Sequence, residues 1–249
     1  IDELTKIVGE ENISADPVDL IPYTRDSYSA LIGREIPTPN CVVLPDNGKD
    51  VQSVVITANE FSLPIYPRSF GVNIAGASLP YAGGIVIDLK RMNRIHEINS
   101  DTMTATLEPG VTWGALRKAA REKGLDAIVI GGPYCVSPVG NFLFTNITHY
   151  ATSYSMDRAV TLEIVLPNGE ILRTGSQATR IGADLNPYFR YAYGPDITGL
   201  FRGSMGNFGI ITKAVMRLRP RGEIEESLIF GFRDLESALR TMQQVERME

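Results

Sequence analysis

The chain has 249 residues, of which 43% are hydrophobic and 21% charged, so it can bury a core of one large domain or of one and a half domains. A net charge of -5, with no basic stripe, argues against a nucleic-acid surface. Cys41, Cys135, His96 and His149 have no disulfide-framework or zinc-site spacing, so we predict no metal. The few cysteines favour a reducing compartment, and no apolar run is long enough to span a membrane. We therefore expect a soluble, cytoplasmic protein.

The first part of the chain predicts a β-α-β unit. A short helix over 2–12 and an irregular polar arm over 16–40 precede a predicted strand at 41–45. Apolar residues at helical spacing from Val51 to Phe61 predict a helix, with Asp50 as an N-terminal acid or cap. The apolar run 63–66 is too short for a helix and predicts a second strand.

A loop rich in small residues follows this second strand, over 67–78. Gly71 and Gly76 can adopt positive φ, so successive backbone N–H groups can point into one concavity. Such a nest binds an anion, and a diphosphate is the obvious candidate. Taken alone, these residues fit an ordinary surface loop equally well.

The next part of the chain predicts further strands at 83–88, 95–98, 104–107 and 127–130. A helix is predicted over 112–123, with Trp113 as a packing residue and Gly124 at its C-terminal end. A second loop of small residues and prolines covers 131–141. The sequence Pro167-Asn168-Gly169 predicts a tight turn between strands at 158–166 and 170–174.

A third glycine-rich stretch, 199–212, leads into a predicted strand that reaches Leu218. The pattern then changes: 223–232 predicts a new strand, and apolar residues from Leu235 to Val245 predict an amphipathic helix. This helix has no predicted partner for its apolar face. We therefore place a domain boundary after Gly222, with a first domain over 1–222 that includes the arm 1–40, and the start of a second, truncated domain over 223–249.

Four stretches carry a family pattern: 67–78; 107–113; 137–141 with 163–170; and 193–201 running to 209–212. Together, and in this order, they resemble the FAD-binding domain of the vanillyl-alcohol oxidase and para-cresol methylhydroxylase superfamily. That superfamily includes glycolate oxidase and D-lactate dehydrogenase flavoproteins. The resemblance covers roughly 41–220. It implies an α+β fold whose two subdomains hold FAD between them, followed by the start of a substrate or cap domain.

The resemblance also implies which residues bind FAD. Backbone N–H groups of the first loop would bind the diphosphate, the second loop would run beside the ribityl chain and the isoalloxazine ring, and 209–211 would meet the adenosine end. The implied cofactor-binding residues are Pro67, Arg68, Ser69, Phe70, Gly71, Val72, Asn73, Ala77, Ser78, Pro133, Tyr134, Val136, Ser137, Gly140, Asn141, Gly209, Ile210 and Ile211. For Ile210 and Ile211, a role as plain core strand residues is the alternative.

Three positions depart from branches of this superfamily. Val72 stands where some relatives tether the flavin through a histidine, and the residues around Cys135 differ from those of relatives that tether it through a cysteine. We therefore predict non-covalently bound FAD and an unmodified Cys135. Phe144 stands where phenol oxidases place an acid, which argues against a phenolic substrate.

The implied function is an FAD-dependent oxidoreductase that oxidises an alcohol, a 2-hydroxy acid or an alkyl phenol by hydride transfer to flavin N5. The alternative is a flavin-binding subunit for electron transfer or assembly, whose partner carries the substrate chemistry. His149, Tyr150 and Arg190 are conceivable active-site groups, but a surface or interdomain position explains each of them better. No catalytic base is therefore predicted within the chain, and we expect it beyond Glu249.

A nicotinamide enzyme fits poorly, because the loop after Tyr66 leads directly into another strand and not into a helix whose N-terminus could bind phosphate. The expected partners are a small-molecule substrate and an electron-acceptor protein. We also expect a homo-oligomer with no nucleic acid bound and no membrane span.

Overall fold

The computed structural model describes residues 1–26, 28–29, 33, 35–72, 75–129, 133–144, 158–178, 189–191, 194–224, 226 and 229–247. Within these residues the chain forms two β-sheets with helices packed against them. The first sheet has four strands and is mostly parallel, and the second has six strands and is antiparallel.

The four-stranded sheet has the order β1-β2-β4-β3, with β1 at Ile13–Ser14, β2 at Cys41–Val43, β4 at Ile85–Asp88 and β3 at Ile65–Arg68. Helix α3, Gly48–Glu60, connects β2 to β3. The predicted β-α-β unit is therefore confirmed, with β4 inserted between its two strands as their common parallel neighbour. Asn47 caps α3, because its Oδ1 accepts hydrogen bonds from the backbone N–H groups of Lys49 and Asp50. Asp50 is thus the acid in the first turn and not the cap.

Alternate residues of the central strands enter two different cores, as the period of a strand requires. Cys41 and Ile85 face the core formed with α3 and with helix α1, Asp2–Val8. Val42 and Val86 face the opposite side, where they pack with Leu20. Leu20 belongs to the N-terminal arm, which forms helix α2, Pro17–Leu20, and a 3-10 turn, Ile21–Thr24. The arm therefore covers the second face of this sheet.

The six-stranded sheet has the order β5-β6-β10-β8-β9, and β7 pairs with the far end of β10. Its strands are β5 Ile95–Asn99, β6 Thr104–Leu107, β7 Leu125–Ala127, β8 Ala159–Val165, β9 Ile171–Arg173 and β10 Ile210–Pro220. Helix α4, Trp113–Arg121, packs on one face through the buried side chains of Trp113 and Leu116. The β8–β9 hairpin is confirmed, with Gly169 at a φ of +85° in its turn.

The predicted strand at 127–130 is displaced towards the N-terminus. It begins at Leu125 because Leu125, Asp126 and Ala127 pair with Pro220, Arg219 and Leu218 of β10. A non-local partner thus sets its bounds. Helix α3 lies between the two sheets, since Val51 and Val54 share one core with Val165 of β8 and Ile210 of β10.

Three further helices complete the described fold: α5 Pro138–Phe144, α6 Ile197–Leu200 and α7 Leu235–Glu246. Helix α7 confirms the amphipathic helix predicted there. The strand predicted at 223–232 is wrong for the residues of that range that the structure describes, which lie in no strand. Ile224 and Ile229 are 80% and 98% exposed, so within the described structure these apolar side chains pack against no sheet. In the described part of the chain, no helix is both long and apolar enough to cross a membrane.

Candidate cofactor site

A cavity with about 830 Å³ of space, open to solvent, lies beside the carboxyl end of β3, where Arg68 is the neighbour of Asp88 in the strand register of β3 and β4. This edge of a parallel sheet is a common place for small-molecule and cofactor sites. Three separate segments line it, together with two single residues from the loops after β4 and β6. The lining residues are Pro67, Arg68, Ser69, Phe70, Gly71, Val72, Ala77, Ser78, Leu89, Pro109, Val136, Ser137, Val139, Gly140, Asn141, Leu143, Met205, Gly206, Gly209, Ile210 and Ile211.

The three segments come close enough that glycine is needed where they meet. A Cβ on Gly140 of α5 would lie 3.2 Å from Ser69 Oγ in the first loop. A Cβ on Gly206 would lie 3.1 Å from Pro67 Cγ, and the φ of Gly206 is +83°. An added Cβ at either position would require the neighbouring side chain to shift by a few tenths of an ångström, so glycine favours the close approach of the cavity walls.

The first loop carries the only ionisable side chain among the described lining residues, that of Arg68. Its guanidinium lies across Gly71, whose φ is +66°: a Cβ there would lie 2.2 Å from Nη2 and 2.3 Å from Nε of Arg68. Burial lowers the pKa of Arg68, while the charge of Asp88 acts in the opposite direction. An arginine remains a cation at neutral pH despite such a shift.

Two buried polar atoms of the lining have no hydrogen-bond partner within the described structure, Nη1 of Arg68 and Oγ of Ser78. A buried donor without a partner is costly, and native proteins rarely leave one. Both residues line the same cavity, and an oxygen-rich anion bound there can accept hydrogen bonds from their side chains. The arrangement fits the diphosphate of FAD.

The second segment forms helix α5, where the sequence predicted only a loop. Ser137 caps this helix, because its Oγ accepts hydrogen bonds from the backbone N–H groups of Val139 and Gly140, each at 3.2 Å. Asn141 lies one turn further along and borders the cavity. Its Oδ1 accepts a hydrogen bond from Nε1 of the buried Trp113 at 2.6 Å. Helix α4 therefore fixes the orientation of the Asn141 amide.

The third segment precedes β10 and is tied to α5 by its backbone. Gly203 N and Met205 N donate to Phe142 O at 3.1 Å and to Leu143 O at 2.8 Å. Met205 has a φ of +55°, an unusual conformation for a residue other than glycine. Ile210 and Ile211 border the cavity and also pack in the two main cores, so the core role is confirmed and the contact with the cofactor stays a prediction.

Fifteen of the predicted cofactor-binding residues lie around this one cavity, although they come from three distant parts of the sequence. Pro133 and Tyr134 do not line it. The Tyr134 hydroxyl instead accepts a hydrogen bond from Arg117, whose guanidinium lies 5.7 Å from the centre of the Tyr134 ring. The predicted residue Asn73 lies outside the described residues.

Six lining residues were not predicted: Leu89, Pro109, Val139, Leu143, Met205 and Gly206. Most of them had a signal in the sequence. Pro109, Val139 and Gly206 belong to stretches that carry the family pattern or the glycine-rich pattern. Leu89 directly follows β4, which ends at the same sheet edge as β3. Leu143 required knowledge of α5, because it follows Val139 by one helical turn.

The described lining contains no carboxylate, histidine, lysine, tyrosine or cysteine. Of the three conceivable active-site groups, Arg190 is 3% exposed and forms an ion pair with Asp196 at 2.6 Å, outside this lining. His149 and Tyr150 lie outside the described residues. The described lining can hold a cofactor, but it has no candidate general base.

Comparisons with known proteins find a family of FAD-binding domains and several relatives that this chain resembles. A family model described as an FAD binding domain matches residues 39–175. Glycolate oxidase subunit GlcD of Bacillus subtilis is 29% identical over 98% of this chain and 50% of its own length. The mitochondrial D-lactate dehydrogenase (cytochrome) of Arabidopsis thaliana is 29% identical over 86% of this chain and 36% of its own length.

Among solved structures, p-cresol methylhydroxylase with substrate bound superposes with a TM-score of 0.74 and 27% identity, over 90% of this chain and 43% of that chain. The chain thus spans half or less of the length of these relatives. The predicted resemblance and the predicted α+β fold are confirmed. Because the family match covers more than half of its residues, the chain belongs to the family of FAD-binding domains.

Proposed function

We propose that this chain is the cofactor-binding part of an FAD-dependent oxidoreductase that oxidises an alcohol, a 2-hydroxy acid or an alkyl phenol. The observation that carries the proposal is the cavity where three separated segments meet, two of whose lining residues, Arg68 and Ser78, have buried donors with no partner in the described part of the chain. Relatives named as a glycolate oxidase subunit and a D-lactate dehydrogenase support the reaction class.

The bound FAD would supply the reactive group, an isoalloxazine ring that accepts a hydride at N5. The residues of this chain would bind and orient it. Arg68, Ser78 and the backbone of the first loop would hold the diphosphate, and the apolar side chains of Val139 and Leu143 would exclude water from one wall of the cavity. A base for the substrate proton would come from residues outside the described lining.

The second candidate function is a flavin-binding subunit for electron transfer or assembly. One specific observation favours it: the described lining contains no general base. The name of the Bacillus subtilis relative also describes a subunit of an oxidase. In this case a partner protein would carry the substrate chemistry and the electron acceptor, and the chain itself would hold the flavin.

Anaerobic reduction distinguishes the two functions. The purified yellow protein is mixed without oxygen with glycolate, D-lactate or 4-alkylphenols, and the flavin absorption is followed. Bleaching by one of these substrates supports the first function. Bleaching only after a reduced partner protein is added supports the second. A protein that takes up no FAD contradicts both.

We further propose that the FAD is bound without a covalent bond. Val72 occupies the position of one tether in the first loop, and Cys135 is exposed and does not line the cavity. Acid precipitation should therefore leave the flavin in the supernatant, both for the original protein and for Cys135→Ser. Flavin that stays in the pellet of the original protein contradicts this proposal.

The exposed apolar face of α7 bears on the division of the chain into domains. We propose that residues 1–222 form the FAD-binding domain, with 1–40 as its arm, and that 223–249 begin a substrate or cap domain. The exposed apolar side chains of Leu235 and Met242 on α7 support this division, because a further domain would cover them. A cytoplasmic location, a homo-oligomer and an electron-acceptor protein as partner are proposed from the sequence.

A further inference from the structure

We propose that the guanidinium of Arg68 binds the diphosphate of the cofactor directly, and that Tyr23 of the N-terminal arm is the residue that positions it. This assignment rests on the proposed function, because it needs FAD in the cavity beside β3. It adds a side chain to a loop in which backbone N–H groups were the expected ligands. It also gives the arm a role in cofactor binding.

The Arg68 side chain lies at the cavity wall with a donor that is available to a ligand. Its Nη1 is buried and has no hydrogen-bond partner within the described structure, while the guanidinium packs over Gly71 at the cavity wall. Among the described lining residues it is the one cation. A diphosphate is doubly negative, and a guanidinium can donate two parallel hydrogen bonds to phosphate oxygens.

Asp88, the acid whose charge acts most strongly on Arg68, already has other partners. Asp88 is fully buried at the end of β4, and its Oδ2 receives the Tyr23 hydroxyl at 2.8 Å and Lys90 Nζ at 2.9 Å. Its Oδ1 receives the backbone N–H of Lys90 at 3.0 Å. Arg68 thus lies in the negative field of Asp88 without forming an ion pair with it. The guanidinium keeps donors that can bind a ligand.

The aromatic ring of Tyr23 lies under Arg68. The guanidinium carbon is 5.1 Å from the centre of the Tyr23 ring, a cation–π contact. The hydroxyl of the same ring is anchored on Asp88, so the ring cannot swing away from the cavity. Burial, and secondly the charge of Asp88, raise the pKa of Tyr23, so it stays a neutral donor. Tyr23 therefore fixes where the Arg68 side chain points.

Asp26 offers a competing explanation. Its Oδ2 is buried and has no hydrogen-bond partner among the described residues, and its charge acts on Arg68. If the only role of Arg68 were to neutralise Asp26, then Asp26→Asn and Arg68→Met would lower the affinity for FAD to a similar extent. If Arg68 binds phosphate, Asp26→Asn removes a competitor, and FAD should bind as tightly as before or more tightly.

Affinity for FAD is measured by calorimetry on the flavin-free protein, with folding checked by circular dichroism. Arg68→Met should weaken FAD binding about 10- to 100-fold, the range expected for hydrogen bonds to a charged group. Arg68→Lys should recover part of the loss. Arg240→Met is the matched control, because Arg240 is exposed on α7 and pairs with Glu236, and its FAD affinity should not change.

The positioning role is tested by combining substitutions. Tyr23→Leu should weaken FAD binding several-fold in the original protein and should have no further effect in the Arg68→Met background, because Tyr23 acts through Arg68. The ³¹P resonances of bound FAD provide a second measurement. They should shift between the original protein and Arg68→Lys at saturating FAD, while the visible flavin spectrum keeps its shape.

The outcomes separate this assignment from the proposed function. If the original protein binds FAD, then an unchanged affinity in folded Arg68→Met overturns the assignment alone. Equal losses in Asp26→Asn and Arg68→Met, or unshifted ³¹P resonances in Arg68→Lys, also overturn it. If the original protein binds no FAD, both the proposed function and the assignment are wrong. Should Arg68→Met fail to fold, Arg68→Lys and Tyr23→Leu decide by the same measurements.

Discussion

Trp113 donates a hydrogen bond from its indole Nε1 to Oδ1 of Asn141 at 2.6 Å. Trp113 is 1% exposed in the core under the six-stranded sheet, whereas Asn141 borders the cavity. The bond therefore joins the core to the cofactor site. With Oδ1 engaged in this way, the Asn141 amide is held in one orientation at the cavity wall.

A double-mutant cycle on this pair should show coupling of about 1 kcal/mol in the free energy of unfolding. Trp113→Phe and Asn141→Ala each remove the bond. Either substitution should therefore lower the free energy of unfolding by less when the other is already present. The loss of packing caused by the smaller Phe side chain lowers the free energy of unfolding equally with Asn141 and with Ala at position 141, so it cancels in the cycle. Chemical denaturation measures the cycle, and additive effects would contradict an energetic role for the bond. FAD affinity should also fall several-fold in Trp113→Phe, because the amide is no longer oriented.

Gly71→Ala should fold and bind FAD weakly. Its Cβ would lie 2.2 to 2.4 Å from the Arg68 guanidinium, which must move, and the φ of +66° adds about 1 kcal/mol of backbone strain. A side chain at this position would therefore displace Arg68 from its place at the cavity wall.

Gly124→Ala is the matched control for this change. Gly124 has a φ of +73° and no atom within 4 Å of an added Cβ, so it carries the same kind of backbone strain away from the cavity. Both variants should lose similar stability by thermal unfolding, but only Gly71→Ala should lose affinity for FAD. Equal FAD affinities in the two variants would contradict the proposed role of the first loop.

Asp126→Asn should destabilise the protein at neutral pH and much less in acid. Asp126 is 3% exposed, and its carboxylate receives hydrogen bonds from Arg117 and Arg121 of α4. Burial alone would raise the pKa of Asp126, but these two arginines outweigh it, and the pKa lies below the usual value of 3.8. A carboxylate whose pKa is lower in the folded state stabilises the fold above its unfolded pKa, and this stabilisation is lost as the pH falls through the folded pKa.

The free energy of unfolding should therefore differ between the original protein and Asp126→Asn by about 1–3 kcal/mol at pH 7. The difference should begin to shrink below about pH 4, the region of an unperturbed aspartate. Denaturant titrations at pH 7, 5 and 3 test this, with the exposed Asp101→Asn as the control. A difference that stays constant from pH 7 to pH 3 would show that the carboxylate charge is not the cause.

Local patterns in the sequence predicted much of the fold. The apolar spacing from Val51 to Phe61 predicted α3, and Asn168-Gly169 predicted the β8–β9 turn, because both depend on neighbouring residues. The insertion of β4 between β2 and β3 and the early start of β7 depend on pairing with distant strands. Such pairings leave no local signal.

The site was predicted in its parts and not in its assembly. The prolines and glycines of 131–141 suggested a loop, yet Ser137 and Pro138 are a cap and a first-turn proline that begin α5. Reading these two residues as a helix start would have placed Leu143 on the cavity. The contact of Arg68 with Tyr23 joins residues far apart in the chain, and no spacing in the sequence predicts it.

Two side chains of α3 hold the tip of the β8–β9 hairpin against that helix. Gln52 Nε2 donates to Gly169 O at 2.6 Å, and Asn59 Nδ2 donates to Pro167 O at 2.7 Å. Gln52→Ala and Asn59→Ala should each lower the free energy of unfolding by about 1 kcal/mol, the usual net value of such a bond. Neither residue lines the cavity, so FAD affinity should stay within about twofold, whereas Glu60→Ala on the exposed end of the same helix should change stability by less than about 0.5 kcal/mol. Denaturation and FAD titration of the three variants measure both quantities. A large loss of FAD affinity in Gln52→Ala would show instead that the docking of the hairpin on α3 controls the shape of the cavity.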